Sequence, residues 1–476
     1  MRMKLDFRWR ALALTTFVVA AFGFQTTGAS LTAAPPAGLD WAACPADASV
    51  DGGSCATLPV PMNYSEPDGA RIEVMVSRIP ARDPVHRQGV LFGNPGGPGA
   101  DALGFWSTLS KRVPELRDFD LIAVQPRGLR WSTPLNCSSP VLDGLPVTVR
   151  LTCEAAQPGY PATITTESVA RDMEQVRQAL GEDRISFLGV SWGTYLGALY
   201  GTLVPEHTDK LVLDSNVDPQ ASWSEQTAQV PLGVSQRLDQ IFDWVAANDA
   251  IYSLGSTRQA VLAEWNRQID AQGGGWYAPS FEATTFAAYS RNLWPYLAQG
   301  MRKYRDDPRQ NEFLKYLSQS PLVADPTSGW MRDASRCNED GGPNLAALTG
   351  AAATLLTDND LFRQQAAVTG SGILCAGWPS IAQRVRVDGS RLALRPLLLQ
   401  SEHDPATSGA TALATAVNGT IIWVGGGDHG QFGRDNPVLN NAVVRYLQTG
   451  TADITAAPEP PITTANPPAS VPGPAR

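Results

Sequence analysis

Short apolar runs alternate along most of this chain with stretches of helical periodicity. Arg71–Ile79 alternates apolar and polar residues as a half-buried strand does. Val90-Leu91-Phe92 and Leu121-Ile122-Ala123-Val124 are short continuous runs of the buried-strand type, as are Ile185–Val190 and Leu211-Val212-Leu213. Helical spacing covers Ser168–Leu180, which stops at Gly181, and Thr194–Val204. Much later come a strand at Pro396–Gln400, a helix near 407–417, a strand at Thr420–Val424 and a last helix near 436–448. Strands separated by helices predict a mostly parallel sheet covered on both faces. The alternation stops between about 216 and 394, where helical patterns, many aromatic residues and breaks such as Gly273-Gly274-Gly275-Trp276 and Gly329-Trp330 take over. The sheet pattern resumes afterwards, so residues 40–215 and 395–450 are expected to form one α/β core, with 216–394 inserted as a helical lid rather than standing as an independent domain. Residues 451–476 are rich in Pro, Ala and Thr without apolar periodicity and are expected to be a disordered tail.

Chemistry concentrates where predicted strands end. Gly189-Val190-Ser191-Trp192-Gly193 follows one strand and opens a helix. Glycines there relieve crowding at a strained strand-to-helix turn and lift a serine hydroxyl clear of the sheet. A serine at neutral pH needs an adjacent base, and the chain has only four histidines. His86 lies in a polar loop, His207 at a helix end, and His403 directly before Asp404. His429 sits in Gly425-Gly426-Gly427-Asp428-His429-Gly430, just past the strand at 420–424, and is the expected base. The acid that fixes the imidazole tautomer should follow a strand between the two. Asp404 is preferred, with Glu402 as runner-up and Asp428 as a third candidate. The order Ser191…Asp404…His429 is that of the α/β-hydrolase fold. Asn94-Pro95-Gly96-Gly97-Pro98-Gly99 follows the strand at 90–92, and the N–H groups of Gly97 (or Gly96) and Trp192 are the expected oxyanion donors.

Composition narrows the setting. With 43% hydrophobic and 17% charged residues the chain can build a sizeable core. A net charge of −9 with no basic run argues against a nucleic-acid partner. Arg2, Lys4, Arg8 and Arg10 precede an apolar stretch from Ala11 to Phe24 and then small residues, the layout of a secretory signal peptide within residues 1–34. The apolar stretch is shorter than the roughly 20 residues of a spanning helix. No stable membrane insertion is therefore expected after cleavage, an uncut anchor being the alternative. Six cysteines in an exported chain favour disulfides over metal; about fifteen pairings are open to six cysteines, of which nearest neighbours in sequence would give Cys44–Cys55, Cys137–Cys153 and Cys337–Cys375. No cysteine or histidine cluster has zinc spacing, and no metal or cofactor is expected.

The motifs NPGGPG, GVSWG, HDPAT and GDHG, in that order, resemble the secreted tripeptidyl aminopeptidases of actinobacteria, relatives of proline iminopeptidase. Pro205-Glu206-His207 with Leu211-Val212-Leu213-Asp214, and the segments Cys337-Asn338-Glu339-Asp340 and Cys375-Ala376-Gly377-Trp378-Pro379, extend the resemblance over about residues 40–450. It implies Ser191, Asp404 and His429 as triad and removal of short peptides from free N-termini. Two stretches depart from the family pattern. Asp-Pro-Arg-Gly-x-Gly-x-Ser reads here Gln125-Pro126-Arg127-Gly128-Leu129-Arg130-Trp131-Ser132, and Asp-x-Thr-Pro reads Asp404-Pro405-Ala406-Thr407-Ser408. An exopeptidase must recognise a free ammonium, for which a lid carboxylate is the natural partner. Glu339 and Asp340 are the candidates, the alternative being a solvated acidic turn. The expected partner is a peptide or small acyl substrate. A secreted esterase using the same triad is the competing reading, and a binding protein on a disabled hydrolase scaffold is disfavoured because every catalytic element is present.

Overall fold

The computed structural model describes residues 38–137, 146–310, 325–379 and 384–462. The expected signal peptide, 1–34, lies outside them. The described residues form one compact unit.

Among the described residues nine strands build one sheet: β1 (Ser54–Pro61), β2 (Arg71–Ile79), β3 (Val90–Asn94), β4 (Asp120–Val124), β5 (Ile185–Val190), β6 (Thr208–Asp214), β7 (Leu397–Ser401), β8 (Thr420–Val424) and β9 (Ala456–Ala457). Their order is β1-β2-β4-β3-β5-β6-β7-β8-β9. β1 and β2 run antiparallel to their neighbours, and every pairing from β4 to β9 is parallel. Successive buried residues point to opposite faces. Phe92, Phe187, Leu213 and Leu398 enter one apolar cluster, while Leu91, Leu188, Val212 and Leu397 enter the other. Continuous apolar runs are thus the mark of a sheet buried on both sides. On the first face lie α3 (Thr166–Leu180) and α4 (Trp192–Leu203), and on the second α1 (Phe105–Arg112). α2 (Pro146–Ala156) lies between β4 and α3 in sequence. α3 starts where the Thr165 side chain accepts the Ser168 N–H and stops at Gly181, whose φ is 70°.

β3 sends the chain outward to β4, whereas β5 sends it the other way to β6. The C-terminal ends of β3 and β5 therefore lie side by side at a topological switch point, where α/β sheets place their sites.

Between β6 and β7 the described residues are helical: α5 (Trp223–Ala247), α6 (Asp249–Tyr252), α7 (Arg258–Ala271), α8 (Pro279–Ala288), α9 (Trp294–Asp306), α10 (Pro326–Asp340), α11 (Leu345–Thr357) and α12 (Leu361–Gly370). They hold a separate apolar cluster around Phe242, Trp265, Phe281 and Trp294, so the aromatic residues of this region are mostly its core. After β7, α13 (Ala410–Val417) leads to β8 and α14 (Pro437–Thr449) to β9.

The tail departs from expectation. Its first part is ordered: Ala456 and Ala457 extend the sheet beside β8, Glu459 pairs with Arg291 at 2.5 Å, and Ile462 packs against the lid cluster. A two-residue strand has no periodicity to read, which is why composition alone suggested disorder through this stretch. The remainder, 463–476, lies outside the described residues. Disulfides join Cys44–Cys55, Cys137–Cys153 and Cys337–Cys375, as sequence proximity suggested.

Candidate active site

Ser191 stands at the end of β5 with φ 59° and ψ −124°, a conformation that non-glycine residues rarely adopt. The crowding is steric on both sides. A Cβ at Gly189 would sit 2.2 Å from the Gly193 carbonyl oxygen, and one at Gly193 would sit 2.8 Å from that of Asn94. The Ser191 N–H is held by the Asp214 carbonyl at 2.9 Å.

His429 is brought from the far strand β8. Its Nδ1 lies 3.0 Å from each carboxylate oxygen of Asp404. The Asp404 side chain is fully buried, and it also accepts the N–H groups of Ala406 and Thr407 and the Thr407 hydroxyl. Burial alone would lower the imidazole pKa, but the charge and hydrogen bond of Asp404 outweigh it and hold His429 above its ordinary 6.5. The same pair works in reverse on Asp404, whose carboxyl stays below its usual range despite burial. Of the competing acids, Glu402 is exposed, and Asp428 is taken by Arg237, Arg434 and the Arg291 N–H. The other histidines lie elsewhere: His86 beside Asp83, His207 on the Asp183 carbonyl, His403 exposed.

The glycine loop after β3 reaches the serine turn. A Cβ at Gly96 would sit 2.9 Å from Ser191 Cβ and 3.2 Å from Trp192 N. The Gly96 N–H is already given to Asn94 Oδ1 at 2.8 Å. The Gly97 and Trp192 N–H groups have no protein acceptor among the described residues, and Trp192 begins a helix, where such N–H groups are unpaired by construction.

Several residues of this site were not singled out from sequence. Asp214, at the end of β6, is fully buried and accepts the N–H groups of Gln431 and Phe432 at 2.7 and 2.8 Å, while Ser215 Oγ accepts that of Gly430. Together they hold the turn that carries His429. A carboxylate at the end of a central strand was the available signal. The lid touches all three loops. Tyr289 accepts the His429 N–H at 2.9 Å and sets its ring edge-on to the imidazole at 5.4 Å. A Cβ at Gly233 of α5 would meet the Pro405 carbonyl oxygen at 2.5 Å, and Ser328 of α10 reaches the loop after β3. The lid carboxylates Glu339 and Asp340 both hold protein N–H groups. Glu339 accepts from Thr166 N and Trp223 Nε1, and Asp340 accepts from the N–H groups of Trp223 and Ser224 at the start of α5.

Residues 90–338 match the α/β hydrolase fold family and residues 362–457 match the family of TAP-like proteins. The chain is 32% identical to a tripeptidyl aminopeptidase of Streptomyces lividans over 91% of its own length and 90% of that protein's. It belongs to the tripeptidyl aminopeptidase family of α/β hydrolases. Further relatives are serine protease Hip1 of Mycobacterium tuberculosis, 25% identical over 93% of this chain and 95% of that one, and carboxylesterase B of the same organism, 28% identical over 93% and 97%. Membership of the tripeptidyl aminopeptidase family makes the chain a serine hydrolase, and no described helix is long and apolar enough to cross a membrane.

Proposed function

We propose that this enzyme is an exported serine peptidase that releases short peptides or residues from free N-termini through an acyl-enzyme. The observation that carries the catalytic reading is the His429–Asp404 pair, closed at 3.0 Å to both oxygens, on the same sheet edge as the strained Ser191 turn. Ser191 Oγ attacks the scissile carbonyl carbon while His429 Nε2 takes its proton, and Asp404 stabilises the resulting imidazolium. The N–H groups of Gly97 and Trp192 receive the oxyanion. Collapse of the tetrahedral adduct breaks the C–N bond, and the imidazolium gives its proton to the departing amine. Water, deprotonated by the same imidazole, then hydrolyses the ester.

The peptide class rests on the relatives that are aminopeptidases and proteases. Recognition of a free amine by Glu339 or Asp340 belongs to the same reading, and there an ammonium would have to share a carboxylate that already holds protein N–H groups. Export is supported by the three disulfides. The second reading, an esterase, has its own observation in the carboxylesterase relative. Ser191→Ala should abolish turnover of peptide amides, by a factor on the order of 10⁶, while leaving the fold intact. A matched pair of peptide amides, free and N-acetylated, tests the amine. Acetylation should lower kcat/KM by roughly 10- to 150-fold, the equivalent of a ~1.5–3 kcal/mol charge-assisted contact. Equal cleavage of the two would overturn amine recognition and move an esterase or an endopeptidase reading ahead.

A further inference from the structure

Oxyanion donors are worth most when they are fixed before the substrate arrives. The loop that carries Gly97 has little with which to fix itself, since Gly96, Gly97 and Gly99 adopt φ of 97°, 111° and 102° and bear no side chains. Its near end is held by Asn94, which takes the Gly96 N–H. Its far end is held by a cluster reaching in from two directions. Gln125 donates to Asp101 Oδ1 at 2.7 Å and accepts the Ala102 N–H at 2.8 Å. Arg130 donates to Asp101 Oδ2 through both Nε, at 2.8 Å, and Nη2, at 2.5 Å. The same guanidinium faces Asp325, the residue that caps α10, at 3.3 Å and Asp47 at 3.3 Å, and it lies 4.0 Å over the Trp131 ring. The Arg130 N–H donates to Thr327 Oγ1 at 3.1 Å. One residue further along α10, the buried Ser328 donates to the Gly99 carbonyl at 2.6 Å, and a Cβ at Gly99 would sit 2.3 Å from the Ser328 carbonyl oxygen.

Positions 125 and 130 are the two at which the Gln125–Ser132 stretch departs from the pattern it resembles. Both departures converge on one carboxylate. An aspartate at 125 would set a second negative charge against Asp101. A glycine at 130 would leave Asp101, Asp325 and Asp47 around an empty place with no cation among them, and like charges so placed repel.

We propose that Arg130 is a positioning residue that clamps the oxyanion loop to the lid, through Asp101 on the loop and Asp325 and Thr327 on the lid helix. The proposal deepens the reading of Gly97 and Ser191 given above and rests on it. A clamp on the oxyanion loop acts on the transition state and leaves ground-state binding alone, so its loss belongs in kcat.

The test compares Arg130→Ala, Arg130→Lys, Asp101→Asn and Ser191→Ala on one chromogenic peptide amide, with the affinity for a peptide boronate as second readout. Arg130→Ala should lower kcat roughly 10-fold, short of the ~10²–10³ lost with an oxyanion donor outright, with KM steady and boronate affinity falling by the same factor. Lysine should restore only part, because an ammonium cannot supply the guanidinium fork. Adding Asp101→Asn to Arg130→Ala should lower kcat no further, since both changes break the same contact. A folded Arg130→Ala enzyme with unchanged kcat, or with the loss confined to KM, overturns the proposal. Should Arg130→Ala fail to fold, the nearly isosteric Asp101→Asn decides: a lower kcat at steady KM supports the clamp, an unchanged kcat overturns it. Ser191→Ala keeps the two levels apart. Turnover surviving there defeats the catalytic assignment, whereas a dead Ser191→Ala beside a fully active Arg130→Ala defeats only the clamp.

Discussion

On the histidine side of Ser191 the lid meets the core through charges sealed from water, whereas on the oxyanion side the charges still see solvent. Arg237 of α5 and Asp428, the neighbour of His429, have side chains 1% and 6% exposed, against 30% and 18% for Arg130 and Asp101. Arg237 is also incompletely satisfied: among the described residues its Nε and Nη1 have no hydrogen-bond partner, and Nη2 reaches Asp428 at 3.2 Å. Burial draws its pKa down while Asp428 holds it up. Arg434 and the Arg291 N–H complete the shell around Asp428. The difference teaches where rigidity is held. A buried ion pair contributes little net stability, yet removing one partner strands the other in a medium that cannot solvate it. A half-exposed network is weaker and is screened by salt. The histidine turn is therefore fixed by the penalty for breaking its contacts, and the oxyanion loop by many partial contacts.

The sharpest way to break the comparison is at the pair that both sides serve. Asp404→Asn should lower kcat by about 10⁴, as expected when the imidazole loses the partner that sets its tautomer. The sign of the pH effect follows from the same pair. In the proposed mechanism the base acts only when neutral, and Asp404 holds His429 above 6.5, so the acid limb of kcat/KM should lie above that value. In the asparagine variant burial is opposed only by the charge of Asp214, and the limb of the residual activity should move to lower pH. A limb that does not move would show that Asp404 does not govern this imidazole.

Next in size is Arg237→Ala, which leaves the buried Asp428 with Arg434 and the Arg291 N–H as its remaining partners. It should cost up to about 3–5 kcal/mol of stability, the upper end applying to a buried charge left wholly unpaired, read as a lower midpoint in denaturant. Arg237→Ala with Asp428→Asn should recover part of that loss, and a single variant as stable as the native chain would show that the sealed pair is not a fixing point. Replacing Cys337 and Cys375 together by serine should cost ~2–5 kcal/mol, and because Cys337 sits on the helix that carries Ser328, the loss should fall on the oxyanion side. Proteolysis should then open α10 before the core helices, and unchanged sites of cutting would refute this. The smallest effect is that of salt. Raising ionic strength from 0.1 to 1 M shortens the screening length from about 10 Å to about 3 Å. That should lower kcat by no more than about fivefold, the equivalent of ~1 kcal/mol, and the salt response should vanish in Arg130→Ala. A response of equal size in that variant would place the screened charges elsewhere.

Much of the proposed catalytic edge was legible because its signals are local. Gly189 and Gly193 are demanded by the turn itself, since any side chain there would collide with backbone within the same few residues or with the adjoining strand. Gly425–Gly427 precede the histidine for similar reasons of space, with Arg237 and Glu459 pressed against them. The elements holding these loops were not legible. β1 was passed over because Pro59 and Pro61 disguise a strand whose edge position tolerates them. β9 is too short to carry a period. Asp214 read as part of a strand end, and only the return of the chain from β8 turns its carboxylate toward Gln431 and Phe432. Glu339 and Asp340 looked like free acids in a lid, yet the fold turns both to N–H donors of the protein.

What the sequence determined by itself, then, is the alternation that makes a doubly covered sheet, the glycine turns at its edge, and the order of serine, acid and histidine along it. These follow from periodicity and from crowding among residues close in the chain. What only the tertiary structure decided is which polar and charged groups meet. Arg237 lies 191 residues from Asp428, and Arg130 lies 197 residues from Thr327. Over such separations nothing in the chain's local pattern marks one partner among the many available. The pairing is settled by where the packed lid sets down its helices, because only there does burial make an unpaired charge too costly to leave.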